Sequence, residues 1–378
     1  MIFSICKRNT VKVAFLILFC TLATFEWIEY SLTPVMLWPK SLIMDHHDAV
    51  KLLIVGDPQL LGNRNACPNF FGSVCRWDAD RYIAKTFGLA HQYLNPDLVI
   101  FLGDNLDEGE IASDEEFHEY FQRFRKVFQD TNFDKAIIIP GDNDIGGEDE
   151  SPLPYLEKRF NKYVNDDILF NYKFLEIVKR PGKALKMLDF YSAKSVGNLM
   201  QIVNYITHSN SYLAASNTSD SSYRIIVSHM PLTPVYSSFV SRALRYLQPH
   251  IILSAHDHKS VHLTADRHTG IQLPYPVTDL SGCLFNVTES FVHEIIVPTC
   301  SYRMGTHKMG YGALKIDSSG KVLYSVLPLP SRFRQIYTYL FVVSVIFIYV
   351  LLSLALGVIK ISSQRSFSRF SKHSRLIF

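Results

Sequence analysis

The stretch IIIPGDNDIGGE, Ile137 to Glu148, runs apolar residues straight into a glycine turn crowded with carboxylates. The same arrangement stands at two earlier places, KLLIVGDPQ (51–59) and DLVIFLGDN (97–105). Short continuous apolar runs are what strands covered on both faces require. Between them lie ADRYIAKTFGLAHQYL (79–94) and SDEEFHEYFQRFRKVF (113–128), with apolar residues at helical spacing. Ser113 and Glu116 stand as a capping box at the start of the second. Phe117, Phe121, Phe124 and Phe128 share one of its faces and are expected in the core. Strand, loop and helix in repetition predict an α/β fold.

Further along, the pattern turns to β. FLEIVKR (174–180) and LKMLDFYS (185–192) flank Pro181-Gly182-Lys183 and predict a hairpin. YRIIVSHM (223–230), HIILSAHDH (250–258), EIIVPTC (294–300), GALKID (312–317) and KVLYSVLP (321–328) read as strands, with a helix near VYSSFVSRALRYLQ (235–248). Two packed β-sheets flanked by helices accommodate this order.

The polar residues follow the strands. Asp57, Asp104 and Asp142 each stand just after an apolar run, as do His229, His256 and His258. Open α/β sheets place their sites at the carboxyl ends of strands. Glycines 56, 103 and 141 allow sharp turns there. Carboxylates and imidazoles together suit two close divalent cations such as Mn²⁺, Fe or Zn²⁺ better than Ca²⁺. Such a pair acidifies bridging water and clamps a phosphoryl oxygen.

Two apolar runs bound this region. Ile336 to Ile359 is about 24 residues without a charge, enough to cross a bilayer. Val13 to Phe25 is shorter; it reads as a signal anchor, with a cleaved signal peptide as the alternative. Lys7, Arg8 and Lys12 precede the first run, and Lys360, Arg365, Arg369, Lys372 and Arg375 follow the second. Positive charge marks the cytoplasmic side, so both ends are expected there, with Arg332 and Arg334 as the discordant flank. The expected organisation is a cytoplasmic N-terminus (1–12), an anchor helix (13–30), a lumenal domain (31–335), a transmembrane helix (336–359) and a basic tail (360–378). Sequons at Asn217 and Asn286 agree with a lumenal domain. Cys67, Cys75, Cys283 and Cys300 form an even set; pairings 67–75 and 283–300 are expected, with four buried thiols as the alternative. The net charge of +3 comes largely from the basic ends and does not argue for nucleic acid.

The blocks GDPQ (56–59), GDNLDEG (103–109), GDNDIGG (141–147), SHMPL (228–232) and SAHDHKS (254–260) resemble, in order, those of the calcineurin-like metallophosphoesterases. The extensions DEG and DIGG, together with EIIVPTCSYRMG (294–305) before a membrane span, narrow the resemblance to the metallophosphoesterase 1 family. That resemblance implies a Mn²⁺ phosphodiesterase of early secretory membranes (endoplasmic reticulum to Golgi). Its substrate would be an ethanolamine-phosphate branch on a mannose of the GPI-anchor glycan, and cargo receptors would be partners. It implies a first ion held by Asp57, Gln59, Asp104 and His258, and a second by Asp104, Asp142, His229 and His256. Asn143 stands where the family has the His that assists the leaving oxygen, and Asp144 would orient it. Three departures matter. Gln59 replaces an imidazole ligand, Asp142 replaces a neutral Asn, and Asn143 cannot donate a proton as a general acid. His307, in SYRMGTHKMG, is a candidate to replace the missing imidazole, with a surface-loop His as the alternative. A metal-binding relative impaired in catalysis, acting in sorting of GPI-linked cargo, is therefore the second reading. A cytosol-facing phosphatase is the third, disfavoured by the sequons and flanking charge.

Overall fold

The computed structural model describes residues 2–44, 48–64, 71–146, 153–164, 169–179, 223–234, 248–267, 271 and 282–374, with positions 240, 244 and 247. Its contacts divide the chain into a terminal unit, 1–32 with 330–378, and a central unit, 33–329.

The central unit holds two six-stranded sheets. The first contains β1 (Val50–Val55), β2 (Leu98–Phe101), β3 (Ile137–Ile138), β9 (Cys283–Asn286), β11 (Gly310–Ile316) and β12 (Lys321–Pro328), in the order β3-β2-β1-β11-β12-β9. The second contains β4 (Leu169–Tyr172), β5 (Leu175–Lys179), β6 (Tyr223–Val227), β7 (Ile251–Ser254), β8 (Val261–Asp266) and β10 (Phe291–Ile296), in the order β4-β5-β6-β7-β10-β8. In the first sheet β1, β2 and β3 run parallel; in the second β5, β6, β7 and β10 do. The strands that precede the acidic and histidine loops are thus the parallel ones.

Each sheet is buried on both faces, which is why the strands read as unbroken apolar runs. Leu52, Ile54, Ile100 and Leu314 of the first sheet and Ile177, Ile225, Leu253 and Ile295 of the second form one buried cluster. On the other face of the second sheet, Val178, Ile226, Ile252 and Val292 pack with Met230, Leu232 and Leu244. Each such side chain contributes roughly 1.5–3 kcal/mol on burial. Over the first sheet lie α3 (Gly72–Leu94) and α4 (Asp114–Val127), which follow α1 (Ile2–Ala23) and α2 (Glu29–Leu37) in chain order. The Ser113–Glu116 capping box forms, and Phe124 and Phe128 meet Phe101 of β2 at 5.0 and 4.9 Å between ring centres.

Three expectations change. β5 pairs antiparallel with β4 through the turn at Lys173 and parallel with β6 on its other edge. Both edges are therefore taken, and the hairpin expected across Pro181-Gly182 is not how β5 pairs; residues 185–192 lie outside the described residues. Cys283 and Cys300 are free thiols. Cys283 sits on β9 at one edge of the first sheet, whereas the segment at Thr299 bridges to Gly56 beside β1. Three strand spacings of about 4.8 Å separate those positions, against a reach of about 7 Å for a disulfide. Cys75 is disulfide-bonded, while Cys67 lies outside the described residues, as do Asn217 and most of 235–246. The third change concerns β3, which is only two residues long before the chain turns into its acidic loop.

In the terminal unit, Val11–Leu37 and Arg332–Ser353 are helical stretches of 27 and 22 residues, long and apolar enough to cross a membrane. The C-terminal one begins the long helix Arg332–Ser374. The arginines that complicated the charge rule are paired. A π-helical turn, Thr24–Ile28, carries Glu26 to 2.7 Å from the Arg332 guanidinium, both buried. Gln335 accepts from Arg332 at 2.9 Å and donates to Glu29 at 2.9 Å, and Tyr339 donates to Glu26 at 3.0 Å. Arg334 pairs with Glu29. Removing one member of a buried pair strands the other at about 3–5 kcal/mol. Arg332→Ala in the detergent-solubilised full chain should therefore lower thermal stability markedly. Exchanging the pair, Glu26→Arg with Arg332→Glu, should recover most of the loss. Equal stability of Arg332→Ala and wild type would show that the pair does not couple the helices.

Candidate metal centre

Loops at the ends of β1, β2, β3, β6 and β7 bring their polar residues together. The backbone is forced there. Of eight non-glycine residues with positive φ among the described residues, five are Asp57, Gln59, Asp104, His256 and His258. Such conformations cost of order 1–3 kcal/mol each and persist only where surroundings over-determine them. Gly103, at φ 98°, and Gly141 permit the loops to interlock. A Cβ on Gly103 would lie 2.7 Å from His229 Nδ1, and one on Gly141 would lie 2.2 Å from Asp104 Oδ1.

Asp104 is at the centre, 2 % exposed. Its Oδ1 accepts from the Asn143 backbone N–H, and its Oδ2 accepts from Asn143 Nδ2 and Gln59 Nε2, all at 2.9 Å. His229 Nε2 lies 3.5 Å from Asp104 Oδ1 and 2.8 Å from Asp142 Oδ1. His256 Nδ1 lies 3.2 Å from the same Asp142 oxygen, and its backbone N–H donates to Asp57 at 3.2 Å. The carbonyl of Leu102 faces His229 Nδ1 at 2.9 Å. A carbonyl only accepts, so Nδ1, which also lies 3.7 Å from Asp57 Oδ1, carries a proton, and Nε2 is the nitrogen turned toward Asp104 and Asp142.

Charge in the cluster is strongly coupled. Burial, added to the charge of Asp104, pushes the Asp57 carboxyl up to about 7 despite His229. Asp104 is likewise raised by burial and by Asp142, against His229. Burial works against Asp142 too, but hydrogen bonds from His229 and His256 hold it well below the usual carboxylate range. Burial lowers His229, yet Asp104, Asp142 and Asp57 together raise it to about 10. His256 is raised by its bond to Asp142. The aspartates thus favour positive charge at these two imidazoles.

Two sets of ligand atoms, Asp57-Asp104-His229 and Asp142-His229-His256, each converge within 4.8 Å. Hard oxygens with imidazole nitrogens fit Mn²⁺, Fe or Zn²⁺. Gln59 turns its amide Nε2, not its oxygen, toward Asp104 Oδ2 at 2.9 Å. His258 stands outside both sets; burial and the neighbouring His256 and His229 lower its pKa. Asp144 is wholly buried. Its carboxylate accepts from the N–H groups of Gly141, Asn105 and Leu106 at 2.9–3.0 Å and from Asn105 Nδ2 at 2.9 Å. It fastens the second loop to the third, and burial with the Asp104 charge raises it to about 7. His307 is exposed. Asn105 and Thr299 escaped the sequence reading. Asn105 Nδ2 also holds Ile139 O at 2.9 Å, and Thr299 Oγ1 donates to the Asp57 carbonyl at 2.7 Å. Asn105 directly follows Asp104, which is the only local signal; Thr299 had none.

Gly141→Ala forces Asp104 aside. Mutations that disturb ligand orientation typically cost 10–100-fold in metal affinity. Calorimetric titration of the variant with Mn²⁺ should show at least a tenfold loss; unchanged affinity would mean Asp104 is not a ligand.

The family model for calcineurin-like phosphoesterases matches residues 50–260, which include the five loops carrying Asp57, Asp104, Asp142, His229 and His256. Metallophosphoesterase 1 homolog of Drosophila melanogaster is 27% identical over 165 residues, 43% of each chain. Metallophosphoesterase 1 of Danio rerio is 26% identical over 162 residues, 42% of this chain and 41% of its own. The chain thus matches well under half the length of these relatives. Among solved structures, PhoD aligns with 72% of this chain and 65% of its own at 8% identity and a TM-score of 0.44. A metallophosphoesterase from Sphaerobacter thermophilus aligns with 77% of this chain and 93% of its own at 9% identity and a TM-score of 0.36. With the family model covering more than half of the sequence and the strand-end cluster inside it, the chain belongs to the calcineurin-like phosphoesterase family.

Proposed function

We propose that the protein is a membrane-anchored phosphodiesterase using two divalent ions, most readily Mn²⁺, to remove ethanolamine phosphate from a mannose of GPI anchors in early secretory membranes. The observation that carries the hydrolase reading is the convergence of Asp57, Asp104, Asp142, His229 and His256. The GPI substrate, the compartment and any cargo receptor rest on the distant likeness to metallophosphoesterase 1. The lumenal placement draws on the flanking charges and on the exposed sequon Asn286 at the end of β9.

Asp57, Gln59, Asp104 and His258 would hold the first ion, and Asp104, Asp142, His229 and His256 the second. When bound, such a pair supplies an acidified water and neutralises phosphoryl charge. The remaining chemistry belongs to the chain. Asp104, 3.5 Å from His229 Nε2, would bridge the two positions, and His229, common to both converging sets, is locked by Leu102 O. Asn143 Nδ2 stands beside Asp104 and can hydrogen-bond a phosphoryl oxygen. It carries no titrating proton, so a leaving alkoxide must take its proton from water. Asp142 adds one negative charge beside the substrate, which favours a phosphoester bearing an ammonium group.

Asn143 also favours the second reading, a metal-binding relative impaired in hydrolysis that acts in sorting GPI-linked cargo. Full-length protein with Mn²⁺, assayed on an aryl phosphodiester and on an ethanolamine-phosphate glycan, separates the two. The enzyme reading expects metal-dependent turnover that Asp104→Asn abolishes. Asn143→His should raise the rate, since general-acid help is typically worth about 10²–10⁴-fold. Two bound ions with no turnover, even in Asn143→His, would favour the sorting role. Turnover that survives Asp104→Asn would contradict the metal mechanism. A glycosidase-sensitive mass shift lost in Asn286→Gln would support the lumenal placement; an unmodified Asn286 would remove that support.

A further inference from the structure

Glu294 is an acidic residue inside the strand FVHEII, Phe291–Ile296, and nothing in the metal-ligand pattern calls for it. It lies on β10, opposite Ile252 of the parallel strand β7 and Leu263 of the antiparallel strand β8. The side chain is fully buried. Its four hydrogen bonds all come from neutral donors. Oε1 accepts from the Leu232 N–H at 2.7 Å and from Ser254 Oγ at 2.9 Å. Oε2 accepts from the Thr233 N–H at 2.7 Å and Thr233 Oγ1 at 2.6 Å.

These donors belong to two different loops of the metal centre. Leu232 and Thr233 follow His229 by three and four residues, and Ser254 precedes His256 by two. Pro231 has no N–H, so the His229 loop has few donors of its own; Ser228 Oγ closes one turn of it onto Met230 O at 2.8 Å. The strand end is joined to the same loop by the Ala255 N–H donating to His229 O at 2.9 Å. Beyond these ties the two imidazoles stand with Nε2 and Nδ1 3.2 Å apart, both against Asp142 Oδ1.

We propose that Glu294 is a positioning residue of the metal centre: its carboxylate fastens the His229 loop to the His256 strand and so sets the spacing of the two imidazoles offered to the second ion. This rests on reading the cluster as a metal centre. A buried carboxylate is costly, and burial raises its pKa against the hydrogen bonds from Thr233, Leu232 and Ser254. An apolar residue would fill the core without that cost. Only an acceptor with two oxygens can take two consecutive backbone N–H groups and two hydroxyls at once. An amide in its place turns an NH₂ toward groups that are themselves donors.

The test is titration of the full chain with Mn²⁺, followed by calorimetry and by electron paramagnetic resonance of the loaded protein. Resonance reports the coupling between neighbouring ions, which a change in overall stability does not move. Glu294→Gln should weaken the second ion 10–100-fold, as loss of a group that orients a ligand does, and should diminish the coupled signal; the first ion should keep its affinity. Thr233→Val should weaken the second ion in the same direction, and Thr233→Ser, which keeps the hydroxyl, should restore it. Should Glu294→Gln fail to fold, the Thr233 pair and Ser254→Ala decide the matter. Variants with lowered thermal stability but unchanged affinities and signal would overturn the role of Glu294 alone. Wild-type protein that binds no Mn²⁺ would instead overturn the metal-centre reading beneath it.

Discussion

Three aspartates, Asp57, Asp104 and Asp142, are buried within a few side-chain lengths of one another, and their mutual repulsion is the constraint around which the central unit is arranged. Carboxylates in such a place must be neutralised by protons, by paired cations or by bound ions. Here His229 and His256 supply compensating charge, with His229 raised to about 10. The five strained positive-φ residues belong to the same arrangement, since they aim the donors inward at the expense of backbone comfort. A chain with no use for cations would gain stability by relaxing both. Persistence of the strain and the charge together is the physical argument for a metal centre.

Much of this was legible in order along the chain. An apolar strand followed by Gly-Asp is a local signal, because strand, turn and ligand are adjacent in sequence. The loops bearing Asp57, Asp104, Asp142, His229 and His256 therefore stood out before their convergence could be known. The capping box at Ser113 and the Phe face of α4 were local too. What escaped was non-local. Whether β5 takes its antiparallel partner from before or after it is decided by which edge β6 occupies. Cys283 and Cys300 form an even pair in a count but lie at opposite sides of β11 and β12. Glu294 reads as an odd residue in a strand until the loops after His229 and before His256 are seen to close on it. Arg332 and Arg334 looked like discordant flanking charges because Glu26 and Glu29, their partners, are some three hundred residues away in sequence.

The departures at Gln59 and Asn143 meet at one atom. Both amide nitrogens donate to Asp104 Oδ2, while Oδ1 accepts from the Asn143 backbone N–H and faces His229 Nε2 at 3.5 Å. Where the resembling family uses imidazoles, this chain has two amides that satisfy the bridging carboxylate themselves. For Gln59 to act as a ligand, its amide would have to turn its oxygen inward and give up the hydrogen bond to Asp104 Oδ2. Asp142 acts in the other direction, adding a carboxylate that strengthens the second position. The pair of sites would accordingly be unequal: each draws on two carboxylates, but the first adds an amide and one imidazole and the second two imidazoles, one of them, His229, held by Leu102 O.

The central claim is that these side chains converge on a pair of neighbouring ions. Anomalous diffraction at the manganese edge from crystals of the protein grown with Mn²⁺ tests it most directly. The account predicts two peaks, about 3.5–4 Å apart as in other two-metal sites, joined by Asp104, with the peak beside Asp142, His229 and His256 the better occupied. A single ion elsewhere on the chain, or an empty cluster with the imidazoles still bonded to Asp142, would contradict it.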